Sequence, residues 1–153
     1  MDMPRPDENH AVLERLVGTW VGEEHMPPSQ WCPEPTTGTG TSEVRSALGG
    51  FGVICDYRQE MNGETTYSGH GVYTYDAQES SYRLHWFDSM GMGVDIFKGR
   101  FEGDLFVMQS HGPMGYMRMT SDYSVPGKLS SKMENSQDGE NWTVMFTGEY
   151  RKT

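Results

Sequence analysis

The chain has 153 residues, and its 22 acidic and 12 basic side chains give it a net charge of −10. This charge repels nucleic-acid phosphates and anionic membrane surfaces, so neither is an expected partner. The length suits one domain over residues 1–153. The chain has two cysteines, a polar first segment and no apolar run of roughly 20 residues. These features predict a cytoplasmic protein without disulfides or membrane spans.

A short helix at about residues 7–17 is the first predicted element. Asp7 follows a proline and suits the N-cap position, and apolar residues at 12, 13, 16 and 17 share one helical face. Gly18 can turn the chain from helix into strand. Trp20 then points back and plugs one end of a barrel, provided that its N–H finds a partner.

A proline-rich loop at about 27–38 follows the first strand. Loops of this length in a compact domain are usually functional or disordered. We favour a lid over the open mouth of the barrel, anchored by Trp31, and the alternative is a flexible surface loop.

The rest of the chain alternates with period two and predicts ten strands. They are Thr19–Met26, Thr39–Leu48, Phe51–Met61, Thr66–Tyr75, Tyr82–Phe87, Val94–Phe101, Leu105–His111, Tyr116–Tyr123, Leu129–Asn135 and Trp142–Arg151. Glycine-containing turns join most of them. The predicted fold is all-β, a single closed antiparallel up-and-down barrel with one short N-terminal helix covering an end. Ten strands enclose more volume than side chains usually fill, so we expect a cavity with some polar groups.

Alternation also predicts which side chains face inward. In the fifth strand, Tyr82, Leu84, Trp86 and Asp88 share a face. In the last strand the predicted inward face carries Trp142, Val144, Phe146, Gly148 and Tyr150, with Met145 as an apolar exception on the other side.

Motifs along nearly the whole chain resemble a known family. Leu13-x-x-Leu16-x-Gly18-Thr19-Trp20-x-Gly22 resembles the opening of nitrobindins and, more distantly, the glycine-x-tryptophan signature of lipocalins and fatty-acid-binding proteins. With Gly40-Thr41-x-Glu43, Leu48-Gly49-Gly50-Phe51, Tyr73-x-Tyr75-Asp76 and Trp86-x-Asp88-Ser89-Met90, the chain resembles an uncharacterised bacterial family of calycin-like barrels, a domain of unknown function. The resemblance implies the fold and no particular activity.

Cofactor and metal sites find little support in the sequence. Nitrobindins hold haem through a histidine near the C-terminal end of the barrel, whereas the last histidine here is His111. His70 and His85 fall on the strand face opposite Tyr73 and Trp86, and no zinc spacing occurs. We therefore predict neither cofactor nor metal.

Two charged residues could carry chemistry. Asp88 beside Trp86 in an apolar pocket could have a raised pKa and act as an acid or base, although the same residue could simply cap a turn. Arg118 could bind a ligand carboxylate inside the barrel, or it could point outward and pair with a surface carboxylate. The many methionines of the second half suit either irregular core packing or an adaptable wall for an apolar ligand.

These observations predict an intracellular, non-enzymatic binding protein for a small hydrophobic or amphipathic molecule. A homodimer is the oligomeric state that we weakly favour. The predicted ligand-binding residues are Trp20, Tyr57, Tyr73, Trp86, Asp88, Met90, Arg118 and Trp142. The alternative is a small-molecule enzyme that uses Asp88 as acid or base and Arg118 as anion clamp in the same cavity. A third interpretation is a structural or self-associating domain with a fully packed interior.

Overall fold

Ten antiparallel strands form one closed barrel in the computed structural model, which describes residues 2–30 and 32–153. Each strand pairs with its neighbours in the chain, and β1 pairs with β10 to close the cylinder, which confirms the predicted up-and-down topology. The strands are β1 Gly18–Met26, β2 Thr36–Ala47, β3 Gly52–Met61, β4 Glu64–Asp76, β5 Ser81–Asp88, β6 Asp95–Glu102, β7 Leu105–Gly112, β8 Gly115–Asp122, β9 Lys128–Ser136 and β10 Thr143–Lys152.

The turn between β3 and β4 shows why glycine marks the hairpins. Asn62 and Gly63 have φ angles of 54° and 80°, as a type I′ turn requires at both central positions. The twist of this turn matches that of the flanking strands, so the chain reverses without splaying them.

The N-terminal helix is shorter and tighter than predicted. An α-helix, α1, spans only Glu8–Ala11, and a 3-10 helix continues over Val12–Leu16. Asp7 caps the start as expected, since its Oδ1 accepts a hydrogen bond of 2.8 Å from the backbone N–H of Asn9. The 3-10 turn brings residues three apart onto one side, which directs Leu13 and Leu16 into the end of the barrel.

Trp20 closes that same end. Its ring is buried, and its Nε1 donates a hydrogen bond of 3.0 Å to the carbonyl oxygen of Leu16. The indole N–H therefore has the partner that a buried tryptophan needs. Trp20 packs with Leu129 and Tyr150 in a small cluster, which is separate from the main core around Val53 and Phe106.

The loop after β1 covers residues 27–35, because β2 already begins at Thr36. It is therefore shorter than the predicted 27–38. Within it, Ser29 and Cys32 exchange backbone hydrogen bonds of 2.7 and 3.2 Å. Trp31, the predicted lid anchor, lies outside the described residues.

A β-bulge in β10 changes the predicted inward face of the last strand. Val144 pairs with Glu134, whereas Phe146 pairs with Met133, so one extra residue separates the two pairs. Such an insertion switches the side to which the following side chains point. Phe146 and Tyr150 line the interior, whereas Val144 shares the outer face with Glu134, and the prediction that Val144 faces inward is wrong.

Within the part of the chain that the structure describes, no helix has the length and apolarity needed to cross a membrane.

The β1–β10 pair that closes the barrel depends on a glycine. Gly22 lies opposite Tyr150 across this pair, and a Cβ atom on Gly22 would overlap the backbone carbonyl of Glu149. Backbone cannot rotate away as a side chain can, so any larger residue at position 22 pushes the two strands apart.

Gly22→Ala is therefore expected to lower the free energy of unfolding. Overpacking typically costs about 1–3 kcal/mol, and we expect a loss of that size or larger. Gly112→Ala is the matched control, because a Cβ at Gly112 meets no atom within 4 Å and its φ needs no glycine. Urea denaturation followed by far-UV circular dichroism measures both. Equal midpoints for the two variants would contradict this role of Gly22.

Candidate functional site

A cavity of about 430 Å³ lies inside the barrel. Trp20, Tyr57, Tyr73 and Trp86, four of the predicted ligand-binding residues, line it. Its volume falls in the range of about 300–1,000 Å³ that is usual for small-molecule pockets. The interior is therefore not filled by side chains, so the packed interior of the third interpretation is wrong.

Methionines form part of the cavity wall. Four of the clustered methionines line the cavity: Met117, Met119, Met133 and Met145. Met145 is also 46% exposed, so it lies at the edge of this wall. Met108 is fully buried in the core instead, and three others are exposed: Met90, Met92 and Met114. Unbranched thioether side chains adapt to irregular apolar shapes, so this wall can adjust to a bound molecule.

The main polar feature of the cavity is a buried carboxylate. Glu24 of β1 has no exposed surface. The Tyr57 hydroxyl lies 2.7 and 2.6 Å from its two oxygens, the Tyr150 hydroxyl donates at 2.5 Å, and Gln59 Nε2 donates at 3.0 Å. A buried carboxylate is tolerated only when such donors replace water, and this one has three.

The two tyrosines keep their protons over a wide pH range. Burial raises the pKa of the Tyr57 hydroxyl well above its usual 10, and the carboxylate of Glu24 raises it further. The same two causes raise the pKa of Tyr150. Both hydroxyls therefore act as hydrogen-bond donors to Glu24 rather than as acids or nucleophiles.

Sequence reasoning did not single out Glu24, although its position contains the signal. Glu24 shares a strand face with Trp20, Gly22 and Met26. Of these four residues, Trp20, Glu24 and Met26 line the cavity. A second signal is Gly40 on β2, where a Cβ atom would overlap the Glu24 carboxylate. An inward glycine on the neighbouring strand leaves the space that the carboxylate occupies.

A hydrogen-bonded chain leads from the cavity wall to Asp88. Trp86 lies flat over Gly69 and Gly71, where Cβ atoms would overlap its ring. Its Nε1 donates to the Tyr67 hydroxyl at 3.0 Å, and this hydroxyl donates to Asp88 Oδ2 at 2.7 Å. Burial, reinforced by Asp88, raises the pKa of Tyr67. Asp88 thus holds the orientation of Tyr67 and Trp86.

Asp88 also caps the turn after β5. Its Oδ1 accepts a hydrogen bond of 3.0 Å from the backbone N–H of Met90, whose own side chain is exposed. It borders a wider, shallow depression of about 530 Å³ on the outer surface. There, Asp56 accepts hydrogen bonds from His70 at 2.6 Å and from Arg45 at 3.2 Å, and these exposed contacts hold the pKa of Asp56 below its usual value. The charged groups of this surface depression are thus paired with one another in solvent, where such pairs contribute little to stability.

Arg118 and Trp142 lie on the outside of the barrel. Arg118 Nη2 is 3.1 Å from Glu134 Oε1, and its guanidinium stacks 4.0 Å above the Trp142 ring. Its strand neighbours Met117 and Met119 point into the cavity, so Arg118 points away from it. Neither residue lines the cavity.

The enzymatic alternative required Asp88 and Arg118 to converge inside the barrel. Asp88 contacts Tyr67 at the end of β5, whereas Arg118 pairs with Glu134 on the outer face of β8 and β9. The structure does not bring the two side chains together, so Asp88 and Arg118 do not form an acid or base with an anion clamp beside it.

Other reactive groups are isolated. Burial raises the pKa of the Cys55 thiol to about 12, which keeps it a thiol rather than a nucleophilic thiolate. Over residues 2–30 and 32–153, no group of three or more histidine, cysteine or acidic residues is arranged to hold a metal ion.

The buried tyrosines make stability dependent on alkaline pH. The folded chain holds protons that the unfolded chain releases above about pH 10, so the free energy of unfolding falls as the pH rises beyond that point. Each such tyrosine contributes a slope of up to about 1.4 kcal/mol per pH unit. Tyr57→Phe should be less stable at pH 7, by about 1–3 kcal/mol for the lost hydrogen bond, and its stability should fall less steeply above pH 10.

Urea titrations between pH 7 and 11, with phenolate absorbance recorded in parallel, measure both effects. Identical slopes for the wild type and Tyr57→Phe would show that Tyr57 ionises normally in the folded protein.

Comparisons with known proteins agree with the barrel. The structure of Rv2717c from M. tuberculosis has a TM-score of 0.72 at 13% identity, covering 96% of this chain and 98% of that one. The S-type phycobiliprotein lyase CPES from Guillardia theta has a TM-score of 0.65 at 9% identity, with 94% and 92% covered. At these identities the likeness shows the fold alone.

No curated protein sequence matches the chain. One family model, described as a protein of unknown function (DUF1579), matches residues 5–152. The match spans nearly the whole barrel, and the chain therefore belongs to the DUF1579 family.

Proposed function

We propose that the protein is a cytoplasmic, non-enzymatic binding protein that holds a small hydrophobic or amphipathic molecule inside its barrel. The observation that carries the proposal is the cavity of about 430 Å³ with a mostly aromatic and aliphatic wall. Burial of an apolar molecule there removes its surface from water, which contributes roughly 25 cal/mol per Å². A few polar groups within such a wall are typical of ligand sites.

The shape of the wall also supports binding rather than simple packing. Trp86 is held in place by Gly69, Gly71 and the Tyr67 hydroxyl, so a large flat surface already faces the cavity. A preformed surface loses little conformational freedom when a ligand arrives. The methionines opposite supply the adaptable part of the wall.

The homodimer expected from the sequence is a separate proposal that does not depend on the cavity. Light scattering coupled to size-exclusion chromatography gives the mass in solution and decides it.

The binding proposal is tested by filling the cavity. Met119→Trp places a larger side chain in the cavity, whereas Thr120→Trp puts the same side chain on the outward face of the same strand. We expect a neutral lipophilic dye such as Nile red to bind the wild type and Thr120→Trp alike, and Met119→Trp at least tenfold more weakly. Fluorescence titration measures all three, after circular dichroism confirms that each is folded.

Equal dye binding by the two tryptophan variants would place the dye outside the cavity and remove the proposal. The proposal would also be removed if the wild type bound no dye and native mass spectrometry of the protein from its own host found no small molecule attached.

A further inference from the structure

The polar end of the cavity offers hydrogen-bond acceptors. This acceptor cluster consists of Glu24, Tyr57, Tyr150 and Gln59. Each tyrosine hydroxyl has one hydrogen, and both hydroxyls point it at Glu24. The Gln59 amide nitrogen donates to Glu24 and lies 3.6 Å from the Met26 sulfur, which engages its two hydrogens. Every polar hydrogen of the cluster is thus engaged, so the cluster offers a ligand acceptor lone pairs, among them those of the two tyrosine oxygens.

The acceptor cluster is also uncompensated by positive charge. Glu24 is the acidic residue among the described residues that line the cavity, and Lys132 is the basic one. Lys132, however, directs its Nζ to Glu134 Oε1 at 3.6 Å on the outer side of the wall. Arg118 also pairs with Glu134 there. Among the described residues that line the cavity, none places a positive charge beside Glu24.

A buried carboxylate attracts a positive charge more strongly than an exposed one, because little water screens the interaction. Glu24 has no exposed surface, so a ligand would contact the oxygens of Tyr57 and Tyr150 while the charge of Glu24 acts through them. A hydroxyl that donates to a carboxylate is itself polarised into a better acceptor. Ligand carboxylates, in contrast, would meet lone pairs and a like charge.

On this basis, and resting on the proposed function, we propose that the ligand is an amphipathic amine: a protonated nitrogen directed at the acceptor cluster, carried on an apolar body that fills the aromatic and methionine-lined part of the cavity. The cluster thus selects against fatty acids and other lipophilic anions. Hydrogen-bond donors and positive charge are the two ligand properties that this end of the cavity recognises.

Three probes of equal chain length separate charge from apolar burial: decylamine, decanol and decanoate, each below its aggregation concentration. Isothermal titration calorimetry at pH 7 on the wild-type protein should give decylamine an affinity at least tenfold higher than decanol, and decanoate the weakest of the three. Glu24→Gln should lose this preference, so that decylamine binds at least tenfold more weakly than to the wild type. Decanol binding should stay within about threefold, because a neutral probe has no charge that Glu24 attracts.

Glu134→Gln is the matched control. Glu134 is also a buried carboxylate, but it lies on the outer side of the wall and is paired with Arg118. Its removal should leave the order of the three probes unchanged. Should Glu24→Gln not fold, the wild-type ranking still decides, because the preference for decylamine is measured without any variant.

The outcomes distinguish the two proposals. Equal wild-type affinities for the three probes, or tighter binding of decanoate, would overturn the amine assignment and leave the binding function standing. Absence of binding by all three would overturn the amine assignment, and if the wild type also bound no Nile red and carried no small molecule from its host, the binding function would fall with it. A decylamine preference that persists in Glu24→Gln would assign the recognition to another group and overturn the inference as well.

Discussion

Closure of the sheet through β1 and β10 is the constraint on which the other features of this protein depend. Without this pairing the sheet would have two free edges and no enclosed interior. Gly22 allows the two backbones to approach closely enough to pair. Because ten strands give a wider cylinder than eight, closure also leaves space that the protein's own side chains do not fill.

The same pairing places the buried carboxylate. Glu24 extends from β1, and its hydrogen-bond donors come from β3 and β10. Around the barrel, β3 and β10 flank the pair formed by β1 and β2. The polar cluster therefore joins the first strand to the last across the closing seam. A carboxylate deprived of these donors would be a buried charge without partners, which folded proteins rarely tolerate.

Strand positions, hairpins and topology were predictable from the sequence because alternation and turn glycines are local signals. The predicted strand ends differ from the observed ones by at most three residues. The bulge between Val144 and Phe146 was not predictable, because apolar residues continue through it and only pairing with β9 reveals the extra residue. The side on which Arg118 lies was left open for a similar reason: methionines flank it, and an apolar neighbour does not distinguish the inner from the outer face. The buried carboxylate of Glu24 was not predictable, because its hydrogen bonds come from two tyrosines on distant strands that meet it only in the folded barrel.

The order in which the chain is synthesised gives the Glu24–Tyr150 contact a further meaning. The two residues are 126 positions apart, so the contact forms only after the last strand has left the ribosome. Until then β1 exposes an unpaired edge and Glu24 lacks one of its donors. Contacts of such long range slow folding. The β1 edge therefore stays unpaired and open to aggregation until β10 pairs with it, and Gly22 and Glu24 lie on that edge.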